Sequence, residues 1–280
     1  MPELPEVETI RRQLEKELKG FTFVSVTTDN EKMFRPSFNA VSLGIKNKKI
    51  ISVDRQAKLL IFKLSKGLSL IFHLKLTGRL LVRNQGGVVD EYTHSVFTLA
   101  REAKGNKRKS TKELRFCDAR KFGFVKLVTD KKEMEQLLSG YGPEPFRDLK
   151  LGNFATILKG SSRPIKIVLL DQEKISGIGN IYANDALWLA GVDPRCKSNK
   201  ITSIKVMRLY KAVLAVLGRG LKYGGASDQW YRQVHGEEGK YQEHFLVYGK
   251  QGHKCQRCDA IIKRIVVGGR GTFVCPACQK

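Results

Sequence analysis

The sequence predicts an α+β protein with a β-rich N-terminal part, a helical part and a C-terminal metal ribbon. Short strand-like runs fill the chain up to about residue 130, and helical periodicity dominates after about residue 150. Four cysteines are concentrated in the last 26 residues. A chain of 280 residues has room for two domains with separate hydrophobic cores.

The first predicted element is an amphipathic helix close to the N-terminus. Pro5 suits a first helical position, and Gly20 ends the pattern. The apolar positions between them recur with helical spacing: Val7, Ile10, Leu14 and Leu18.

Pro2 gives this helix start a chemical interest. Removal of Met1 leaves Pro2 as a secondary amine beside the Glu3 carboxylate. An α-amino group has an unperturbed pKa of about 8, so a useful fraction is uncharged near neutrality and can form an imine. Local chemistry alone still favours the simpler interpretation that these residues only begin an amphipathic helix.

The charge balance indicates a polyanionic partner. Lys and Arg number 51 against 27 Asp and Glu, which gives a net charge of +24. Nucleic acid is the leading candidate and a membrane surface the competitor. The sequence contains no apolar run of about 18 residues and no signal peptide, so we expect a soluble, intracellular protein without membrane contact.

The β-rich part is expected to form a sandwich or barrel-like domain, because its strand-like runs are short and closely spaced. The runs cover residues 21–27, 49–53, 59–64, 68–74, 80–82, 95–100, 114–117 and 122–128. Residues 101–112 are too polar and basic for a strand, and we interpret them as an exposed hairpin loop or insertion that could contact phosphate.

The later part reads as helices after a hinge. A short helix is predicted at 131–138, and the Gly/Pro-rich run 140–145 is a natural hinge. Further helices are predicted at 153–158, 164–170, 181–189 and 204–221. The small residues at 176–180 would let backbone N–H groups approach an anion at a helix start, although this signal is weak alone.

The terminal cysteines predict one structural zinc ion. Two Cys-x2-Cys pairs are separated by a short hairpin, a spacing that suits tetrahedral four-sulfur coordination. Strands at 261–267 and 272–274 would form a ribbon with Arg270 at its tip. The four proposed ligands are Cys255, Cys258, Cys275 and Cys278, whereas Cys117 and Cys196 are isolated and expected to be buried thiols.

Several motifs taken together resemble the bacterial formamidopyrimidine-DNA glycosylases over the whole chain. They are, in order, PELPEVETIRR, DARKFG, YGPEP, LLDQEKISGIGNIYANDAL, VYGKQGHKCQRC and VVGGRGTFVCPACQK. The resemblance implies an N-terminal β-sandwich with a catalytic N-terminal helix (1–130), a hinge (131–150), a helix–two-turn–helix domain (151–240) and a zinc ribbon (241–280).

The resemblance also implies the reaction and the partner. Such an enzyme extrudes an oxidised purine, chiefly 8-oxoguanine or a formamidopyrimidine, from double-stranded DNA and attacks the sugar C1′ with Pro2. Successive β- and δ-eliminations then cut the strand. We expect a monomer that acts in base excision repair in the bacterial cytoplasm, at the nucleoid, without an organic cofactor.

Three further residues resemble the family's supporting groups. Glu3 corresponds to the proton donor, and Lys58, on a strand beginning at Ala57, to the lysine that contacts phosphate and assists β-elimination. The family usually has glycine where this chain has Ala57. Arg270 corresponds to the arginine implicated in δ-elimination, where stabilisation of charge is more credible than proton donation.

The resemblance implies a second group of residues that hold the DNA. Those expected to contact the strand are His73, His94, Lys166, Asn180 and Tyr248. Those expected to fill the space left by the flipped base are Phe122 as the wedge, Arg120 as the partner of the orphaned cytosine, and Leu76 in place of the usual methionine.

Two positions depart from the family pattern. The segment at 226–236, which would cover the flipped base, lacks the usual threonine-rich start, so lesion preference transfers less securely than reaction type. Ser161 and Ser162 replace a lysine that relatives often place near DNA, and the basic run 101–112 could compensate.

Two other functions were weighed. A relative directed at oxidised pyrimidines, similar to endonuclease VIII, would use the same Pro2 and Glu3 chemistry but has a different N-terminal motif. A non-enzymatic zinc-ribbon protein that binds DNA would tolerate an N-terminal tag, whereas the enzyme needs a free amine.

Overall fold

The computed structural model describes residues 2–102 and 109–280, which divide into two compact units. Unit 1 comprises Met1–Leu138 and Gly224–Lys240, and unit 2 comprises Ser139–Tyr223 and Tyr241–Lys280. The chain therefore leaves unit 2 after Tyr223, contributes a segment to unit 1, and returns at Tyr241. We refer to Gly224–Lys240 as the 224–240 segment. The family resemblance predicts these residues in the helix–two-turn–helix domain (151–240), whereas the structure places them in unit 1.

Unit 1 contains three helices and nine strands in its described residues. They are α1 (Leu4–Leu18), β1 (Thr22–Thr28), β2 (Phe34–Arg35), α2 (Phe38–Ile45), β3 (Ile50–Gln56), β4 (Leu59–Leu64), β5 (Ser69–His73), β6 (Gly78–Asn84), β7 (Thr93–Glu102), β8 (Lys109–Asp118), β9 (Phe124–Val128) and α3 (Lys131–Leu138).

The strands of unit 1 form two sheets with an aromatic core between them. One sheet has the order β1-β7-β8-β6 and the other β2-β9-β5-β4-β3. Phe72 on the second sheet meets Phe97 and Phe116 on the first, with ring centroids 5.4 and 5.9 Å apart. The predicted sandwich is confirmed, because alternate apolar residues of both sheets point into this layer.

Helix α1 packs against this sandwich with the predicted face. Its apolar stripe is fully buried in the core, and helix and sheet share one hydrophobic cluster. Helix α2 was not predicted. Ser37 starts it by accepting the N–H of Ala40 at 3.2 Å, but the helix is only eight residues long and contains Gly44, so its periodic signal is weak.

The basic run 101–112 is more regular than expected. Strand β7 continues through Arg101 and Glu102, and β8 begins at Lys109, with Glu102 paired to Lys109. The prediction that these residues are too polar for a strand was wrong at both ends, because backbone pairing beyond the core needs no apolar side chains. The rest of the expected loop, residues 103–108, lies outside the described residues.

Unit 2 is helical and ends in a two-stranded ribbon. Its elements are α4 (Leu151–Lys159), α5 (Ile165–Leu170), α6 (Asn180–Ala190), α7 (Ser203–Lys222), β10 (Lys263–Val267) and β11 (Arg270–Val274). The Thr202 side chain accepts the N–H of Lys205 at the start of α7, and Gly191 ends α6 in the left-handed conformation with φ +69°. No helix in the described part of the chain is long and apolar enough to cross a membrane.

The ribbon turn is tighter than predicted. Gly268 and Gly269 alone connect the strands, with φ of +56° and +72°, and Arg270 already pairs with Val267. Arg270 is therefore the first residue of β11 rather than the tip of a four-residue turn. The Arg270 side chain is exposed, but the backbone that carries it is paired with Val267, which limits the motion of this residue.

Candidate active site and nucleic-acid interface

The start of α1 is buried, although it carries Pro2 and a carboxylate. Pro2 is buried and Glu3 is 2% exposed. The N–H of Glu3 donates to Oε2 of Glu6 at 2.8 Å, an i to i+3 contact that closes the helix start. The Glu3 carboxyl group is thus held in a fixed place directly after Pro2.

Glu6 also holds the root of the 224–240 segment. Its Oε1 accepts the N–H of Ala226 at 2.8 Å, while its other oxygen accepts from Glu3. Gly225 has φ +85°, and a Cβ there would lie 2.8 Å from Cγ of Glu6. A glycine is therefore required at this close approach. One buried carboxylate thus ties the segment to the residue that follows Pro2.

Lys58 lies in a turn and not on a strand, which corrects the prediction. Strand β3 ends at Gln56, β4 begins at Leu59, and the two are paired across a two-residue connection. Ala57 has φ +53°, a conformation that glycine adopts at little cost. This backbone geometry explains why glycine suits the position. Lys58 itself is 4% exposed.

An ion pair links the Lys58 turn to α1. Arg55 donates from Nη1 to the carbonyl of Ala57 at 2.9 Å and from Nε to Glu8 Oε2 at 3.0 Å. Burial alone would raise the pKa of Glu8, but hydrogen bonds from Arg11, Arg55 and Arg12 outweigh it and lower that pKa. Glu8 therefore stays ionised and fixes the turn relative to the helix.

His73 is a neutral hydrogen-bond donor at the end of β5. Its Nδ1 accepts the N–H of Lys75 at 2.9 Å, so the proton of the neutral ring is on Nε2. Burial, followed by the charges of Lys75, Lys58 and Arg35, lowers the pKa of His73 to about 3. An Nε2–H among cations is suited to a phosphate oxygen.

The depressed pKa of His73 predicts a stability that depends on pH. In the unfolded chain His73 binds a proton below about pH 6.5, whereas in the folded protein it stays neutral down to about pH 3. The free energy of unfolding therefore falls as the pH falls through that interval. We expect His73→Gln to remove a slope of up to about 1.4 kcal/mol per pH unit. Urea titrations at several pH values measure it.

A matched control is His235→Gln, whose side chain is 46% exposed. That variant should keep the slope of the unchanged protein. An unaltered slope in His73→Gln would show that the ring is protonated in the folded state.

His94 is held differently. Its Nδ1 lies 2.9 Å from Oδ1 of Asp29, so this nitrogen donates to the carboxylate. Its Nε2 is buried and has no hydrogen-bond partner among the described side-chain and backbone atoms. The contact with Asp29 therefore fixes the orientation of the ring.

The three expected void-filling residues lie on two adjacent loops of unit 1. Leu76 is half-buried in the turn between β5 and β6, and Arg120 and Phe122 precede β9. Phe122 is 53% exposed, and the Arg120 guanidinium carbon lies 4.8 Å from the centre of its ring. The pair projects as one exposed cation–aromatic unit.

Asp118 ties these two loops together. It is fully buried and accepts hydrogen bonds from the N–H of Gly123 at 2.7 Å and the N–H of Arg120 at 3.3 Å. Its other contact is the Thr77 hydroxyl, which follows Leu76. A carboxylate with three donors is a strong organiser of loop geometry.

The 224–240 segment is packed into unit 1 by its apolar residues. Tyr231 and Val234 are 4% and 0% exposed and belong to the sandwich core. The Tyr231 hydroxyl donates to the carbonyl of Gly224 at 2.9 Å, and the carbonyl of Val234 accepts the N–H of Val82 at 2.7 Å. The expected lesion-covering loop is thus anchored at its root and along its second half.

In unit 2, the start of α6 contacts the ribbon. Nδ2 of Asn180 donates to the carbonyl of Gly271 at 3.2 Å, and Oδ1 of Asn184 accepts the N–H of Phe273 at 2.7 Å. Both acceptor and donor lie on β11, which begins with Arg270. Helix α6 therefore places Asn180 next to the strand that begins with Arg270.

Lys166 is placed inside unit 2. It is 0% exposed, and its Nζ donates to the carbonyl of Gly271 at 2.9 Å and to Oγ1 of Thr272 at 2.6 Å. The side chain was expected to contact DNA. Its burial instead indicates that it positions the ribbon strand that follows Arg270.

We expect Lys166→Met to destabilise unit 2 by about 2 kcal/mol, because two ribbon acceptors lose a charged donor. Urea denaturation measures this loss. Lys159→Met, at an exposed lysine of α4, is the control and should change stability by less than about 0.5 kcal/mol. A direct phosphate contact would instead lower the salt slope of DNA binding by about 1 in Lys166→Met.

Tyr248 lies on a chain segment that Asp185 organises. The buried Asp185 carboxylate accepts the N–H groups of Leu246, Val247 and Tyr248 at 3.0–3.1 Å. Burial raises the pKa of Asp185 despite these hydrogen bonds. The Tyr248 ring packs edge-on against Phe273 of β11, with centroids 5.1 Å apart.

The four terminal cysteines form one cluster that fits a metal ion. Their sulfur atoms all lie within 4.8 Å of one another, with Cys258 3.4 Å from Cys275 and 3.3 Å from Cys278. Zinc–sulfur bonds of about 2.3 Å place tetrahedral sulfurs about 3.8 Å apart. The N–H groups of Arg257 and Cys278 point to sulfurs of this cluster, which suits thiolates.

Sequence reasoning missed the residues that hold the candidate site together. The carboxylates among them are the buried Glu6, Asp118 and Asp185 and the half-buried Glu8. Arg55 and Asn184 belong to the same group of residues. A signal existed for Glu6, which stands three residues after a helix-starting Glu3. The others lie inside the quoted motifs or in β3, but their partners are distant in sequence.

Comparison with family models covers most of the chain. Residues 1–125 match the formamidopyrimidine-DNA glycosylase N-terminal domain, and residues 141–231 match the H2TH domain of the same enzymes. Residues 252–280 match a zinc finger found in FPG and IleRS.

Similar proteins span the full length. A formamidopyrimidine-DNA glycosylase of Herpetosiphon aurantiacus is 38% identical over 289 residues, covering 100% of both chains. One of Chloroflexus aggregans is 39% identical, covering 100% of this chain and 98% of the relative. Two Lactococcus lactis Fpg structures superpose closely: a complex with DNA containing an abasic site (34% identity, TM-score 0.90, 99% of both chains) and one with DNA containing an oxidised pyrimidine (33%, 0.89, 100% of both).

Proposed function

Since this chain belongs to the formamidopyrimidine-DNA glycosylase family and is an enzyme that acts on damaged DNA, we propose that it excises oxidised purines and then cleaves the strand. The substrates are 8-oxoguanine and formamidopyrimidines in duplex DNA. The observation that carries this proposal is the buried start of α1, where Pro2 and Glu3 directly precede a helix whose Glu8 is tied through Arg55 to the turn of Lys58.

In this proposal Pro2 is the nucleophile. After removal of Met1, the uncharged secondary amine attacks the sugar C1′ of a flipped nucleotide, and the C1′–N bond to the damaged base breaks. The nitrogen loses its proton, and its lone pair then displaces the ring oxygen O4′, which takes up a proton, so the sugar ring opens and an iminium forms at C1′. The iminium acidifies the adjacent C2′ proton, whose loss expels the 3′ phosphate by β-elimination. A further proton loss expels the 5′ phosphate by δ-elimination.

The acid–base roles are those that the family resemblance implies. Glu3 delivers the proton to the departing base or the opening sugar ring. Lys58 contacts phosphate and assists β-elimination. Arg270 stabilises the charge on the leaving phosphate, because a guanidinium surrenders a proton very poorly.

The strand is held by groups that do not react. His73 offers Nε2–H and Asn180 stands at a helix start, so both suit phosphate oxygens. Phe122 unstacks the duplex, Arg120 pairs with the orphaned cytosine, and Leu76 completes the filling. The four cysteines hold one zinc ion that supplies no reaction chemistry and keeps the ribbon folded.

Oxidised pyrimidines are a second candidate substrate class. A similar Lactococcus lactis enzyme was crystallised with oxidised-pyrimidine DNA, and the segment that would cover the base departs here from the family pattern.

In this proposal the protein with the present sequence works as a monomer on the bacterial chromosome.

Borohydride trapping tests the proposal. Duplexes with 8-oxoguanine opposite cytosine, and with an oxidised pyrimidine, are incubated with protein whose loss of Met1 is confirmed by mass. We expect a covalent adduct at Pro2, identified by peptide mapping, and a larger yield with the purine. The absence of any adduct would sink the catalytic assignment, and equal yields would sink the purine preference.

Glu3→Gln separates the two reactions. We expect excision of 8-oxoguanine to fall by about 10²-fold or more, because a proton donor is lost. Cleavage of a preformed abasic site should fall much less, because no base remains to be protonated. The ratio of the two single-turnover rates measures this effect. Glu15→Gln, on the same helix, is the control.

A further inference from the structure

We propose that Tyr92 and Trp230 are positioning residues that couple closure of the 224–240 segment over the flipped base to insertion of Arg120 and Phe122 into the duplex. The inference rests on the proposed function and deepens it. It assigns a role to two aromatic residues that have no place in the chemistry or in the void-filling set.

Tyr92 contacts the 224–240 segment through its ring. The rings of Tyr92 and Trp230 meet edge to face, with centroids 5.7 Å apart and an interplanar angle of 73°. Trp230 directly precedes Tyr231, which is buried in the core and bonded to Gly224. Trp230 therefore stands next to the anchored part of the segment, whose root Glu6 holds beside Glu3.

The same residue contacts the void-filling loop through its backbone. The carbonyl of Tyr92 accepts the N–H of Asp118 at 2.9 Å. The Asp118 carboxylate in turn accepts the N–H groups of Arg120 and Gly123, on either side of Phe122. Tyr92 thus contacts both the 224–240 segment and the loop that carries Arg120 and Phe122.

The loop that ends at Tyr92 is held by hydrogen bonds from two arginines. Tyr92 has φ +61°, a conformation that a tyrosine keeps only when its surroundings hold it. The buried Arg115 holds the loop by donating to the carbonyl of Gly87 at 2.9 Å and to Asp90 at 2.9 Å. Arg79 also donates to the carbonyl of Glu91 at 3.0 Å.

A contiguous chain of contacts therefore runs from the base-covering segment through Trp230, Tyr92 and Asp118 to Arg120. This chain of contacts makes insertion of the wedge depend on whether a base has been captured. A base captured beneath the segment holds Trp230 against Tyr92, and Tyr92 holds the Asp118 loop in the position that inserts the wedge. A base that is not captured leaves insertion less favourable.

The test reads insertion directly. The duplex contains 8-oxoguanine opposite cytosine and the fluorescent base 2-aminopurine next to that cytosine. The fluorescence of 2-aminopurine rises when it unstacks from its neighbours. All proteins carry Glu3→Gln so that the base stays in place, and all are used at saturation. We expect Trp230→Ala to reduce the rise by about twofold or more, because an edge-to-face pair biases such an equilibrium by that much.

Conservative and double variants sharpen the result. Tyr92→Phe and Trp230→Phe keep the ring contact and should keep the full rise. Tyr92→Ala combined with Trp230→Ala should lose no more than either single change, because both break one contact. An abasic duplex, which offers no base to cover, should give the same signal with every variant.

A full rise in Trp230→Ala, or losses that add in the double variant, would overturn the coupling. Equal losses on the abasic duplex would also overturn it, since they would reflect general damage to the loop. Failure of the proposed function is distinguishable, because the protein with intact Tyr92 and Trp230 would then give no rise at all.

Discussion

A protein that keeps an uncleaved extension before Pro2 is expected to lose base excision and borohydride trapping by at least about 10³-fold. The extension converts the secondary amine into an amide, whose nitrogen lone pair is delocalised and cannot attack C1′. Single-turnover excision of 8-oxoguanine and the yield of trapped adduct measure the loss.

The matched control is the same extended protein after a protease has removed the extension and exposed Pro2. Activity should return fully, which shows that the chain was folded throughout. DNA affinity should change far less than the chemistry. An extended protein that still traps DNA would mean that another amine, such as the buried Lys58, is the nucleophile.

Replacing one metal ligand, as in Cys258→Ser, is expected to unfold the ribbon and abolish strand cleavage. Zinc binding by such sites is worth about 10–16 kcal/mol, far more than the few apolar contacts of two short strands. Loss of the ribbon removes Arg270 and frees the buried Lys166 from its two acceptors. Zinc content by mass spectrometry, circular dichroism and cleavage of abasic DNA follow the effect.

Cys196→Ser is the matched control, because this half-buried thiol lies outside the four-sulfur cluster. It should retain one zinc ion per chain and full cleavage. A Cys258→Ser protein that keeps both its zinc and its activity would contradict a structural four-cysteine site. Chelation of the unchanged protein should reproduce the effect of Cys258→Ser.

The sequence predicted those parts of the fold that have a local, repeated signal. Helix α1 follows from the spacing of its apolar residues, and the zinc cluster follows from two short cysteine pairs. Helix α3 begins and ends where its pattern predicts, at Lys131–Leu138. In each case residues that are close in the sequence are also close in space, so a local sequence pattern is sufficient to predict the structure.

Other features depend on contacts that no local pattern encodes. Glu6 and Ala226 are 220 positions apart, and Asp185 accepts backbone N–H groups about 60 positions away. The Lys58 turn was taken for a strand because alanine rarely adopts the positive φ found at Ala57. The site residues came from resemblance, and their proposed roles remain predictions that the variants above address.

The path of the chain through the 224–240 segment has a consequence for synthesis and folding. Tyr231 and Val234 complete the sandwich core, yet they are made after Ser139–Tyr223, which is the larger part of unit 2. A nascent chain that has just emerged through α3 therefore exposes an unfinished apolar layer. Fragments cut at the hinge should be insoluble on their own, and the N-terminal unit can reach its final stability only when translation is almost finished.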